Sequence, residues 1–383
     1  MGVIYSDIED WDEALNYLGK CVEQKYRFAF AYTAMADAYR AKGEPAKAQE
    51  ILEKYLREVE NTAFGHQRLA WHHFTQNRLD LAGREMETAE TLDPSYWENR
   101  IYRGDLKFLK GDLAGAEAEY RPLLEEKLPM NRYYGYIGLN SLLLLEGRYA
   151  EIKKLFVPLA EQSRSMGVGE AEWNSRMAIA YSSLRSGRPE AAIVECDKAY
   201  SIDAGRMALD YKRQTLHLQG SAYLAMKRID EAERTAGKLK ALIETGLNRK
   251  AMRRYDNLMG AVELARGNMP KAIELLEKAV QSLPYGPFEK DAWFIDTLAE
   301  AYLRAGDRIK AREQYERITT LTTGRLSYGD IFARSFYHLG RIDEELGDKT
   351  RARGNYQKFL DLWKNADPGL PEVPDAKKRL AAL

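Results

Sequence analysis

A small residue recurs along the whole chain at a nearly constant interval, and this recurrence constrains the fold more than any other feature. It falls at Gly2, Ala36, Ala70, Gly104, Asn140, Ala180, Gly220, Gly260, Ala299 and Gly340. The steps between these positions are 34, 34, 34, 36, 40, 40, 40, 39 and 41 residues. Because periods of about 20–50 residues are typical of stacked structural repeats, we predict a repeat architecture.

Each repeat also has a constant internal pattern. A turn residue stands seven positions after the small residue, at Gly43, Asn77, Gly111, Gly147, Gly187, Lys227, Gly267, Gly306 and Gly347. An alanine follows five positions later, at Ala48, Ala82, Ala116, Ala192, Ala232, Ala272, Ala311 and Ala352. Small residues let two helices approach closely, and glycine tolerates the positive φ that ends a helix. The pattern therefore predicts a helix–turn–helix unit in every repeat.

This spacing resembles the tetratricopeptide repeat over almost the entire chain, and Pro94 and Pro284 stand where that family often ends its second helix. The resemblance implies an all-α, right-handed superhelical solenoid of about ten repeats. The segment that follows Pro374 is expected to form a capping helix with Asp375 as its N-cap. The family's usual aromatic residue in the first helix is replaced by His66, Arg100, Arg176 and Asp256.

The same resemblance implies a concave groove, in which ligands contact fixed positions of each first helix. In the N-terminal half these positions hold Phe30, Asp37, Arg40, Gln67, Trp71, Phe74, Asp105, Phe108, Tyr134 and Ile137. In the C-terminal half they hold Tyr181, Arg185, His217, Asn257, Trp293, Asp296, Glu300, Arg304, Tyr337 and Arg341. The first set suits an apolar or aromatic partner segment, and the second set is more polar. Any single residue of either set could instead pack between helices.

The period lengthens near residue 160, so we divide the chain into residues 1–160, residues 161–365, and a linker with the capping helix at 366–383. The additional residues fall at the junctions between repeats, where we expect longer helices or connections. The C-terminal half resembles the repeat arms of bacterial multidomain regulators such as serine/threonine protein kinases. Because Met1 falls inside a first helix, we expect an N-terminal module to precede this chain in a longer protein.

Charge and cysteine content exclude several classes of function. Lys plus Arg and Asp plus Glu each number 58, so net charge favours neither nucleic acid nor an anionic membrane. Cys21 and Cys196 form no disulfide framework or metal motif, which favours a cytoplasmic protein. No apolar run approaches the roughly 20 residues needed to cross a bilayer.

Catalytic and metal sites are not indicated either. His66, His72 and His73 lack a further ligand at helical spacing, and both cysteines stand at packing positions. The segment GVGEAE at 167–172 is similar to a phosphate-binding loop, but it lacks the third glycine and a preceding strand. We therefore expect no cofactor and no enzymatic activity. The predicted function is a scaffold that binds a protein or peptide; alternatives are a regulatory arm of a signalling protein and, less favoured, an RNA-binding repeat.

Overall fold

The computed structural model describes residues 1–24, 29–127, 129–203, 205–284 and 291–383. Within these ranges all regular secondary structure is helical, which confirms the predicted all-α repeat fold. Ten successive helix pairs are followed by one further helix. The first helices of the pairs are α1 (Gly2–Asp7), α3 (Ala29–Ala41), α5 (Ala63–Thr75), α7 (Glu98–Lys110), α9 (Pro129–Leu145), α11 (Gly169–Arg185), α13 (Ala208–Ala225), α15 (Met252–Arg266), α17 (Asp291–Ala305) and α19 (Gly329–Glu345).

The second helices complete the pairs. They are α2 (Trp11–Glu23), α4 (Pro45–Glu58), α6 (Leu79–Leu92), α8 (Leu113–Tyr120), α10 (Tyr149–Ser165), α12 (Pro189–Tyr200), α14 (Ile229–Glu244), α16 (Met269–Gln281), α18 (Arg308–Thr319) and α20 (Lys349–Leu362). Helix α21 (Glu372–Ala382) follows the tenth pair, as predicted for a capping helix. No described helix combines the length and the apolar character needed to cross a membrane.

The turn within each pair is made as the sequence predicts. All seven predicted turn glycines have positive φ, and so do Asn77 and Lys227, with φ of 55° and 60°. In a typical turn the Gly111 N–H donates to the Phe108 carbonyl at 3.0 Å, which satisfies a carbonyl at the end of α7. Glu9 has a φ of 59° at the equivalent position of the first pair, which the sequence pattern did not identify.

The repeated small residues lie where the two helices of a pair touch. Every predicted contact alanine from Ala48 to Ala352 is fully buried. A Cβ atom added to Gly340 would lie 2.7 Å from the ring of Tyr356 in the second helix, and one added to Gly104 would overlap the ring of Tyr120. The bulky residue that follows the contact alanine therefore fills the space that the glycine leaves.

The additional residues of the longer repeats produce both of the expected features. Helices α2 to α7 have 13 or 14 residues, whereas α11 and α13 have 17 and 18. Short 3₁₀ turns at Gly205–Met207, Arg249–Ala251 and Thr323–Leu326 extend three junctions. The junction before Trp293 includes residues 285–290, which lie outside the described residues. The division at residue 160 stays a prediction.

The helices pack into two compact units. In its described residues the N-terminal unit comprises Met1–Leu142, Pro284 and Thr322–Leu326, and the C-terminal unit comprises Leu143–Leu283, residues 291–321 and Ser327–Leu383. Each unit has its own apolar core between its helix pairs, built around Leu52 and Tyr55 in the first and around Leu239 and Leu258 in the second.

The capping helix begins earlier than predicted. Helix α21 starts at Glu372, with Pro371 at the N-cap position, so the prediction that Asp375 is the N-cap was wrong. Pro374 lies inside the first turn, where its missing N–H leaves no helical bond unmade. Asp375 instead accepts hydrogen bonds from the Tyr337 hydroxyl (2.8 Å) and from Arg379 Nε (2.7 Å), and the first of these bonds holds α21 against α19.

Candidate partner-binding groove

In the N-terminal unit some predicted groove residues lie at the surface. Phe30 on α3 and Ile137 on α9 are 46% and 40% exposed, although both are large apolar side chains. Asp37 is exposed and forms an ion pair with Arg40 on the same helix. Tyr134 is half-buried, and its ring centroid lies 4.9 Å from that of Trp97. These residues give the face both apolar area and paired charge.

Other predicted groove residues of this unit are buried between neighbouring helices. Phe74 and Phe108 are almost fully buried. The Gln67 amide lies 2.7 Å from the side chain of Asn99 in the next repeat, and Asp105 accepts a hydrogen bond from the Tyr120 hydroxyl at 2.6 Å. These four side chains make contacts within and between repeats.

Trp71 connects the buried residues to the surface. It is half-buried, and its ring packs edge-on against Phe74 (centroids 6.2 Å apart) and against Tyr102 (6.5 Å). Arg68, which sequence analysis did not select, forms an ion pair with Glu98 and lies over the Tyr102 ring at 5.5 Å. A guanidinium between rings and a carboxylate is held in a fixed orientation.

One edge of the N-terminal unit is covered by the Thr322–Leu326 segment, which we call the docked segment. Its contacts fall on the last parts of three first helices, at Thr75 of α5, Leu109 of α7 and Ser141 of α9. Sequence analysis missed these three positions, since two of them use only the backbone carbonyl, which every residue type carries.

In the C-terminal unit the predicted groove residues contact one another. Trp293 lies at the centre of an aromatic cluster: its ring centroid is 5.4 Å from that of Tyr181, 5.1 Å from His217 and 5.7 Å from Tyr328. Thus α11, α13 and α17, together with the residue that precedes α19, meet through their side chains on this face.

A buried carboxylate lies next to this cluster. Asp330, at the start of α19, is fully buried and accepts hydrogen bonds from the hydroxyls of Tyr149 (3.1 Å) and Tyr181 (2.9 Å). Arg185 Nε donates to the same carboxylate at 2.6 Å, and Arg334 Nη1 lies 3.9 Å away. This ionic cluster ties α10 and α11 to α19 across 145 to 181 residues of sequence. Asp330 was not among the predicted site residues.

Two further predicted residues of this unit bond to each other. His217 Nε2 lies 2.8 Å from Asn257 Oδ1, and both side chains are buried. Burial lowers the pKa of His217 to about 4, although the bond to Asn257 opposes this shift. The imidazole is therefore neutral at pH 7 and belongs to the polar interior of the unit.

Further predicted positions of this unit lie outside the aromatic cluster and the ionic cluster. Glu300 pairs with Arg304 on the exposed side of α17, and Arg341 lies over the Tyr337 ring at 5.8 Å. Asp296 is partly buried, and this burial raises its pKa to about 6. Among the described residues, Asp296 makes no hydrogen bond or ion pair.

The histidines and the cysteine that could have indicated metal binding or catalysis are bonded to other side chains or buried. His66 Nδ1 lies 2.6 Å from Glu85 Oε2, and burial lowers the pKa of His72 to about 3. Burial raises the pKa of the Cys196 thiol. Within the ranges that the structure describes, no three His, Cys, Asp or Glu residues are arranged to hold a metal ion.

The glycine-containing segment at 167–172 borders a pocket of about 360 Å³ between α10, α11 and α12. Three basic side chains line it, but Arg176 is already paired with Glu161, Glu172 and Glu195. Asp203 adds a further carboxylate to the wall. This mixture of charges does not favour a phosphate.

Comparison with known proteins identifies the repeat. Tetratricopeptide repeat family models match residues 31–58, in the N-terminal unit, and residues 334–366, in the C-terminal unit. No curated protein sequence matches the chain. The resemblance to kinase-linked bacterial arms is not tested by these matches and stays a prediction.

Solved structures show only distant likeness. A human IFIT1 dimer with m7Gppp-AAAA is 16% identical, with 98% of this chain and 85% of that chain covered and a TM-score of 0.46. The Cut9–Hcn1 hetero-tetramer of the APC/C is 14% identical, with 99% of this chain and 74% of that chain covered and a TM-score of 0.43. A tetratricopeptide repeat protein from Parabacteroides merdae is 15% identical, with 83% of this chain and 97% of that chain covered and a TM-score of 0.34. Since all three TM-scores lie below 0.5, we infer nothing about function from these structures.

Proposed function

Because the chain contains tetratricopeptide repeats, we propose that it is a non-catalytic scaffold that binds an extended segment of a partner protein on the groove face of the N-terminal unit. Repeats of this family generally mediate the binding of protein partners. The proposal rests mainly on one observation, the exposure of Phe30 and Ile137 on first helices of different repeats. Large apolar side chains exposed at groove positions favour a surface that a partner covers.

The neighbouring side chains have the chemistry of a protein interface. Trp71 and Tyr134 offer half-buried aromatic area with few rotatable bonds, which binds at low entropic cost. Arg40 and Asp37 provide a charge pair on α3, the helix that carries Phe30. An apolar centre with a polar rim is the usual composition of a binding surface between proteins.

The C-terminal unit supports this choice by contrast. There the predicted groove residues Tyr181, Arg185, His217 and Trp293 are bonded to or packed against other residues of the same unit. Binding a partner at these positions would require breaking contacts that stabilise the unit. We therefore assign the partner to the N-terminal unit.

The test uses random peptides displayed on phage and selected on the full chain. Ile137→Asp places a charge at an exposed helix position and should weaken selected peptides at least about tenfold, since a central apolar contact is worth more than about 1.4 kcal/mol. Affinity is measured by fluorescence anisotropy with a labelled copy of each peptide.

Leu247→Ala serves as the matched control. Leu247 is 76% exposed and follows α14 in the C-terminal unit, so its truncation should leave peptide affinity unchanged. Selected peptides that bind the Ile137→Asp variant as tightly as the unaltered chain would contradict the assignment. Failure to select any peptide would contradict the proposed function itself.

A further inference from the structure

The docked segment, which forms a short 3₁₀ turn at Thr323–Leu326, contacts the N-terminal unit as a bound ligand would. Thr322 Oγ1 donates to the Thr75 carbonyl at 3.5 Å, and Arg325 Nη2 donates to the Leu109 carbonyl at 3.3 Å. The Ser141 hydroxyl donates to the carbonyl of Leu326. The intervening Thr323 and Gly324 are buried. Five consecutive residues thus bridge three consecutive first helices.

The acceptors on the helices explain this binding. Thr75 is the last residue of α5, and Leu109 is the last but one of α7. The final carbonyls of a helix have no intrahelical partner, and they carry the negative end of the helix dipole. A hydroxyl and a guanidinium are donors suited to these carbonyls, and the guanidinium also brings the complementary charge.

Arg325 is the charged side chain of the docked segment that bonds to a helix end. The side chain is half-buried, and this burial lowers the pKa of its guanidinium. A charged group in such a place needs protein acceptors in place of solvent. The Leu109 carbonyl at the C-terminal end of α7 supplies one.

The contacts with α5, α7 and α9 also lie on the helices that carry the proposed groove. Trp71 precedes Thr75 by one helical turn, and Ile137 precedes Ser141 by one turn. A partner segment that runs across Trp71 and Ile137 would therefore reach the helix ends that the docked segment covers.

We propose that the docked segment is an internal ligand, and that the partner carries a segment of the same chemistry in the same kind of turn: a hydroxyl residue, an arginine three positions later and an apolar residue after it. This inference rests on the proposed function, since it names the partner chemistry of the same face. The partner must displace the docked segment from the helix ends. Because the internal ligand belongs to the same chain, its effective concentration is high, and it sets the minimum affinity that a partner needs to displace it.

The probe is a fluorescent peptide with the sequence LTTGRLS, which copies residues 321–327. It is titrated against the full chain and against a Thr322→Ala, Arg325→Gln double variant, whose own segment has lost two of its donors. Because the double variant leaves its acceptors accessible, we expect the peptide to bind it at least about tenfold more tightly than the unaltered chain.

Two controls accompany this titration. Arg317→Gln removes an exposed arginine of α18 and should leave peptide affinity as in the unaltered chain. Adding Ser141→Ala to the double variant removes a donor on the helix side and should weaken the peptide severalfold. A peptide with alanine in place of its arginine should bind neither protein.

Thermal melting by circular dichroism verifies that the double variant folds, and Arg325→Lys provides a milder variant if it does not. Lysine keeps the charge but loses the planar donors, so it should also increase peptide affinity. Equal affinity for all variants, or no binding to any, would overturn the inference. If phage-selected peptides still depend on Ile137 in that case, the proposed function stands and only the internal ligand is disproved.

Discussion

The N-terminal and C-terminal units use the same repeat but place different chemistry at equivalent positions of their first helices. In the N-terminal unit Phe30 and Ile137 are exposed. In the C-terminal unit Trp293 packs against Tyr181 and His217. Part of the first set is therefore exposed, whereas most of the second set contacts other residues of its own unit.

This difference shows that the repeat pattern and the groove residues are constrained separately. The pairing of helices depends on small and bulky residues such as Gly340 and Tyr356, which both units have at equivalent places. Exposed groove positions such as Phe30 and Ile137 lie outside that contact, so their chemistry can vary without loss of the helix pair. A family resemblance therefore predicts the helix pairs better than it predicts the chemistry of the groove positions.

The largest effect should come from the carboxylate that ties the C-terminal unit together. Asp330→Ala would leave the Arg185 guanidinium and the hydroxyls of Tyr149 and Tyr181 without their acceptor in a buried place. Breaking a buried ion pair on one side costs about 3–5 kcal/mol, so we expect the free energy of unfolding to fall by about that amount. Urea denaturation followed by circular dichroism and tryptophan fluorescence measures the loss.

Asp361→Ala is the control for this change. Asp361 is an exposed residue of α20 that accepts only a local hydrogen bond from Gln357, so its removal should change stability by no more than about 0.5 kcal/mol. If both variants were equally stable, the ionic cluster would be dispensable, and the contrast between the two units would lose its main support.

A second prediction concerns what the units share. Gly104→Ala in the N-terminal unit and Gly340→Ala in the C-terminal unit each force a methyl group against a tyrosine ring of the second helix. Overpacking of this kind costs about 1–3 kcal/mol, and we expect both variants to lose stability to a similar degree in urea denaturation.

Gly354→Ala, in the same repeat as Gly340, should raise the free energy of unfolding instead of lowering it. A Cβ atom at Gly354 meets no other atom within 4 Å, and the residue lies inside α20. Alanine should therefore stabilise the helix by about 0.5–1 kcal/mol. A loss of stability in only one of the two units at the tyrosine-packed glycines would show that the units do not share their helix packing.

The features that the sequence predicted well are local ones. Gly43 or Asn77 ends a helix because of its own backbone preference, and Ala48 is buried because its own size suits a close contact. Glu9 escaped notice because its side chain gives no sign of the positive φ that the turn imposes on it.

The sequence predicts a set of groove positions but does not divide them into exposed and buried residues. Gln67 is polar and fully buried because Asn99 lies within reach, whereas Ile137 is apolar and 40% exposed. Residue type predicts the reverse in both cases. Asp330 was missed for another reason, since its partner Tyr149 is 181 residues away and no local pattern connects them.

The smallest predicted effect concerns Asp296, a groove residue of the C-terminal unit that is not part of the ionic cluster around Asp330. Burial raises the pKa of Asp296 to about 6, a shift that Glu300 and Asp330 reinforce and that Arg185 and Arg334 oppose. A carboxyl group whose folded pKa is raised binds its proton more tightly in the folded state. Stability is therefore lost as pH rises from about 4 to about 6, and the loss persists at pH 7.

Asp296→Asn removes this titration and should raise the free energy of unfolding at pH 7 by about 1 kcal/mol, once solvent screening of a partly exposed group is allowed for. At pH values near 3 the variant and the unaltered chain should be about equally stable, because the aspartate is then largely protonated in both the folded and the unfolded state. Glu300→Gln, at an exposed position one turn later, should change stability little at either pH. If Asp296→Asn instead destabilised the chain at pH 7, this carboxylate would hold the C-terminal unit together as Asp330 does. A gain would mean that the chain keeps Asp296 at a cost in stability, and that this groove residue, unlike Asp330, does not stabilise the C-terminal unit.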